Sequence, residues 1–153
     1  MQKITPFLWF DKEARAAAEF YASVFKDGKI KSSRTVSDTP SGTVEIITVG
    51  LLGMDFTLMS AGPFVKINEA ISFVIDCASQ EEVDRYWESL SAVPEAEQCG
   101  WLKDKFGVSW QVVPRRLNEL LADPDEAKAA RVTQAMLKMK KLVIADLEAA
   151  ARG

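Results

Sequence analysis

The chain has 153 residues, 48% apolar and 27% charged, a formal net charge of −3 and no histidine. This is the composition of a folded globular protein, long enough for one domain or two small modules. Without imidazole the chain builds no Ser–His or Cys–His nucleophile pair, and its acidic balance argues against nucleic acid as a partner.

Two cysteines, Cys77 and Cys99, stand apart without CxxC spacing. That favours buried thiols in a reducing compartment over a zinc or redox site. The N-terminus shows no signal-peptide pattern and no apolar run reaches the length of a membrane span, so a cytoplasmic protein with no membrane partner is expected. Lys138, Lys140 and Lys141, with Arg131 upstream, read as a solvated helix face.

Ile4–Phe10 reads as a short buried strand, with Asp11 as the N-cap of a helix over 12–26 whose apolar residues include Ala14, Ala17, Ala18 and Tyr21. Strands are expected at 29–36, 43–49 and 54–59, separated by a Thr39–Gly42 turn and a Gly50–Gly53 hairpin connection. The pattern then repeats. Ala70–Ile75 forms a strand, and Ser79 and Glu82 form a capping box. Val83, Tyr86, Trp87 and Leu90 mark a second amphipathic helix. Weaker strands follow at 95–98, 99–103 and 108–113, and Gly53–Leu58 matches Gly107–Val112 position by position.

The reading is an α+β protein of two pseudo-repeated βαβββ modules forming a curved mixed sheet with a concave trough. The modules span 1–62 and 69–114, with a linker at 63–68 and a helical extension at 115–153. In that extension Pro114 ends the last strand, and 118–122 makes a short helical turn. Asp123 caps a helix running to about Lys140, and 142–151 forms another. Ala135, Met136, Met139, Leu142, Val143, Ile144 and Leu147 offer apolar surface to the chain's own domain or to a second copy, and a homodimer is expected.

These residues resemble the vicinal oxygen chelate superfamily, the fold of glyoxalase I and the extradiol dioxygenases. Within it, Thr5–Asp11, Glu81–Trp87 and above all Gly100–Pro114 are similar to the PhnB-like branch, whose members are often labelled 3-demethylubiquinone 3-methyltransferase-like. The resemblance implies a metal held on the concave face by two His and two Glu. Strand parity assigns those positions to Thr5, Thr57, Ala70 and Gln111, a set without imidazole or carboxylate, so no metal and no other cofactor is expected. A methyltransferase cofactor site is not expected either, because the glycines are scattered singly and none opens a helix.

Parity also gathers Thr5, Phe7, Trp9, Asp55, Thr57, Met59, Ser72, Ser109 and Gln111 as ligand-binding candidates, with Val74 beside them. Trp87, Trp101 and Trp110 read as packing. Asp55 and Glu45, if close and partly buried, are the candidates for acid–base catalysis. The resulting expectation is a metal-free pocket for a small metabolite. The alternatives are an enzyme of the same superfamily, by acid–base or methyl-transfer chemistry, and an interaction module acting through its C-terminal helices. Under the last alternative, deleting 115–153 is expected to leave ligand binding intact while abolishing association.

Overall fold

The computed structural model describes residues 2–153. It is an α+β chain with two mixed sheets and C-terminal helices, and it divides into two compact units, Met1–Ile67 and Asn68–Gly153.

The first unit contains β1 (Phe7–Phe10), α1 (Ala14–Val24), β2 (Lys29–Thr39), β3 (Gly42–Leu51) and β4 (Met54–Ser60). The sheet order is β1-β4-β3-β2, with β1 parallel to β4 and the remaining pairs antiparallel. Ala14, Ala17, Ala18 and Tyr21 line the buried stripe of α1, and the small alanines let the helix lie close on β3 and β4. Ile47, Val49, Phe56 and Leu58 form the core beneath it. β1 is an edge strand and is not buried throughout. Phe7 is 54% exposed and Ile4, before the strand, 85%, because both lie outside the core under α1.

The helix start differs from the sequence reading. Glu13, not Asp11, is the N-cap, and its side chain makes no capping bond. The acceptor comes from across the sheet, where Ser60 Oγ receives the Ala14 N–H at 2.9 Å.

The β3–β4 hairpin turns through Leu52 (φ 48°) and Gly53 (φ 79°), the left-handed pair that a two-residue type I′ turn requires. Asp27 accepts from Leu52 N at 2.7 Å and Gly53 N at 3.1 Å, holding a conformation that leucine disfavours. Replacing Leu52 by Asn should therefore raise stability by about 1 kcal/mol, since Asn tolerates this region and Leu52 buries little there. Urea unfolding checks it: the midpoint rises at constant slope, and a lowered midpoint contradicts the assignment of strain.

The second unit opens with β5 (Ser72–Cys77), α2 (Gln80–Leu90), β6 (Trp101–Lys103) and β7 (Ser109–Pro114), in sheet order β5-β7-β6. Half of the expected capping box forms: Ser79 Oγ accepts from Glu82 N at 3.3 Å, while Glu82 Oε2 accepts from Ala78 N, one residue before the cap, at 2.8 Å.

The strand expected at 95–98 does not form. Pro94 donates no N–H and starts a 3-10 turn, Pro94–Ala96, so the Ala96 and Glu97 N–H groups bond to Val93 and Pro94 carbonyls instead of to a neighbouring strand. Only Gln98 pairs with Trp101, across a tight turn through Cys99 (φ 38°) and Gly100 (φ 91°).

The extension folds as α3 (Arg115–Leu121), α4 (Glu126–Leu137) and α5 (Ile144–Arg152). The cap of α4 lies two residues beyond the expected Asp123: Asp125 accepts from Ala127 N and Lys128 N, while Asp123 accepts from Asp125 N. Leu117, Leu120, Val132, Leu142, Leu147 and Ala151 form one core, with Met136 and Met139 packed on it. Much of the apolar surface on which the dimer expectation rested is thus covered within one chain. The basic run is likewise partly docked, Lys140 on Glu97 at 3.3 Å and Lys141 on Asp84 at 2.7 Å.

Candidate functional site

Period two gives each sheet one face against its helix and one facing away. In the first unit the face away from α1 carries Phe7 beside Thr57 and Trp9 beside Met59, with Asp55 one pair further along β4. Trp9 Nε1 donates to Gly62 O at 2.9 Å, fixing the indole at the end of the sheet. Thr5 is exposed and lies before β1. Asp55 is ion-paired with Lys31, and its backbone N–H is held by Gln2 Oε1 at 2.8 Å.

Asp55 and Glu45 do not form an acid–base pair. Ile46 is the register partner of Met59, so Glu45 projects to the opposite face, on the α1 side. There Arg15 and the Ser33 hydroxyl bond its carboxylate and hold its pKa below the ordinary value, with Arg15 the larger cause. A carboxylate so held stays ionised and stores no proton near neutral pH.

In the second unit the face away from α2 is arranged in two rows across β5, β7 and β6. One row is Ser72, Ser109 and Lys103; the next is Val74, Gln111 and Trp101. Gln111 Nε2 donates to Ser72 Oγ at 2.9 Å, tying the rows together. On the β6 side this face borders a cleft of about 590 Å³. Trp101, Lys103 and Ser109 supply the sheet side, Val93, Ala96 and Cys99 the wall where a further strand was expected, and Glu69 one rim. Ser109 is 2% exposed, whereas Lys103 pairs with Glu69 at 3.3 Å. Glu69 is held below the ordinary carboxylate range by its own backbone N–H first and by Lys103 second.

The positions where the resemblance implies metal ligands, Thr5, Thr57, Ala70 and Gln111, carry two hydroxyls, a methyl group and an amide. The amide nitrogen is already committed to Ser72. Divalent first-row ions need imidazole, thiolate or carboxylate donors, so these residues do not fit such an ion.

A family model for 3-demethylubiquinone-9 3-methyltransferase matches residues 2–113. The chain belongs to that family. Among solved structures, the PhnB protein from Bacillus cereus is 29% identical, covers 74% of this chain and 99% of its own, and superposes with a TM-score of 0.61. The fosfomycin resistance protein FosX from Listeria monocytogenes shares the fold at 15% identity and TM-score 0.57, covering 80% of this chain and 98% of its own. Protein PA1353 from Pseudomonas aeruginosa does so at 22% and 0.51, with 74% of this chain and 98% of that one covered. No functionally curated protein matches this chain.

This PhnB-like chain therefore has a vicinal oxygen chelate fold. Among the described residues the five α-helices follow Glu13, Ser79, Pro114, Asp125 and Val143, so none of them is entered directly from a glycine. No helix among the described residues is long and apolar enough to cross a membrane. Of the sequence-derived candidates, only Ser109 lines the cleft. Gln111 and Ser72 share its sheet face, and the first-unit candidates share a face of their own sheet. Trp101, read as packing, lines the cleft, together with Lys103, Cys99 and Glu69, which sequence reasoning missed. Once the β6–β7 register is known, strand parity carried from Gln111 across to Trp101 places two of the four.

Proposed function

We propose that this PhnB-like protein binds a small metabolite in the second unit's cleft, between the face of β6 and β7 and the 93–99 segment. One observation carries the reading: a cavity of about 590 Å³, within the range of small-molecule sites, sided by an indole and a few polar groups. Most of its wall is apolar or small, so the body of the ligand is apolar and stacks on Trp101, while polar groups orient it. The chemistry proposed is binding alone; Asp55 and Glu45 are engaged in ion pairs and are assigned no catalytic role.

The two thiols provide a test without mutation. Cys77 is fully buried, and desolvation pushes its pKa up to about 12, whereas Cys99 is half-buried and lines the cleft. N-ethylmaleimide followed by peptide mass spectrometry should label Cys99 and spare Cys77 in the folded protein. A panel of aromatic and branched aliphatic acids, amides and amines should contain compounds that slow Cys99 labelling and raise Tm. If no compound in the panel does either, the cleft is not a ligand site.

A further inference from the structure

Resting on that reading of the cleft, we infer that its ligand is an anion with a planar apolar body, bound by Lys103, and that Glu69 is a built-in competitor for the same ammonium. Lys103 and Ser109 are direct register partners on β6 and β7, so their side chains leave neighbouring positions on one face of the sheet, and both line the cleft. Trp101, two residues along β6, turns to the same face and offers its indole to the body of the ligand.

The counterion is unequally placed. The Lys103 side chain is 27% exposed and Glu69 72%, so the cation belongs to the cleft and the carboxylate belongs to its rim. Their separation of 3.3 Å is that of an ordinary surface pair. Glu69 lies outside any strand or helix, just before β5, where it can swing into solvent without disturbing the sheet. An entering carboxylate then exchanges one ion pair for another and adds the Ser109 hydroxyl and the stacking surface. A cationic ligand would instead face Lys103 directly. The remaining polar side chains at the cleft, Glu95 and Gln98, are exposed and sit on the opposite wall.

Three probes with one ring system separate the charge from the body: 2-naphthoate, 2-naphthamide and 2-naphthylmethylamine. Affinity is read from slowed Cys99 labelling and from calorimetry. Naphthoate should bind tightest and the amine weakest, with the naphthoate advantage shrinking as salt is raised. Glu69→Gln should raise naphthoate affinity roughly two- to fivefold, the range of an exposed ion pair, and leave naphthamide unchanged. Lys103→Met should remove the preference for naphthoate while naphthamide still binds. A variant that merely loosened the fold would weaken all three probes together.

If naphthamide binds as well as naphthoate and Glu69→Gln changes neither, the anion inference fails while the cleft reading stands. Tightest binding by the amine would make Glu69 the recognising group and overturn the inference directly. If none of the three protects Cys99, both the inference and the cleft reading fail for aromatic ligands.

Discussion

Replacing Asp104 by Ala should destabilise the second unit by about 3 kcal/mol or more. Asp104 is 1% exposed and follows directly on β6. One carboxylate oxygen accepts from Phe106 N at 2.8 Å and Val108 N at 3.0 Å, and the other accepts from the Trp110 indole Nε1 at 2.8 Å. A single side chain thus closes the β6–β7 turn and anchors the indole in the core. Alanine leaves those donors buried without an acceptor, and hydrogen bonds to a charged group are each worth about 1.5–3 kcal/mol. Asparagine should cost less, since its oxygen can still serve the two backbone donors, but its NH2 then opposes the indole N–H. Adding Trp110→Phe removes that opposed donor, so Asp104→Asn should cost less in the Trp110→Phe background than in the parent. Urea unfolding followed by circular dichroism measures all four corners of the cycle. An Asp104→Ala variant within about 1 kcal/mol of the parent would show that the turn closes without the carboxylate.

The same residue explains why the sequence was most specific over Gly100–Pro114. Asp104, Gly107 and Trp110 are fixed by local bonds: the aspartate bridges residues up to six positions away, and Gly107 turns the chain at φ 85°. Such short-range chemistry leaves its mark in a continuous stretch of residues. The faces of the sheets were legible for a similar reason. Period two is a property of one strand, so Phe7, Trp9, Thr57 and Met59 could be assigned to one side without knowing their neighbours. What failed depended on partners distant in the chain. The side-chain acceptor at the start of α1 is Ser60, 46 positions from the Ala14 it serves, and no local pattern announces it. The strand at 95–98 is lost to the 3-10 turn at Pro94–Ala96, and the wall of the cleft beside it is set by the turn at Cys99 and Gly100, where a cysteine adopts a positive φ that its type does not signal. Without that turn, the register of β6 was open, and Trp101 and Lys103 could not be placed on the face with Ser109.

That turn is also where the C-terminal extension meets the candidate site, which makes Leu142 the most informative residue in it. Cys99 N donates to Met139 O at 2.7 Å and Gly100 N to Lys140 O at 2.8 Å, while Gln98 Nε2 donates to Leu137 O at 2.8 Å. Leu142 is fully buried, and its Cδ1 lies 3.0 Å from where a Gly100 Cβ would stand. Residues 137–142 therefore buttress the wall that carries Cys99. Deleting 115–153 would remove these acceptors together with the core around Leu117, Val132 and Leu147, so it should disrupt the cleft and not leave ligand binding intact. Leu142→Ala is the finer instrument. It should cost about 3 kcal/mol through lost burial and the cavity left behind, and should weaken naphthoate binding severalfold as the 98–100 turn loosens. Val132→Ala removes a fully buried side chain from the same core without touching the turn. It should cost on the order of 2 kcal/mol and leave naphthoate affinity at the parent value, measured where both variants are folded. Equal losses of affinity in the two variants would mean that general instability weakens the cleft. A Leu142→Ala protein that keeps full affinity would mean that the turn holds its shape on its own hydrogen bonds, with the extension stabilising the unit but not the site.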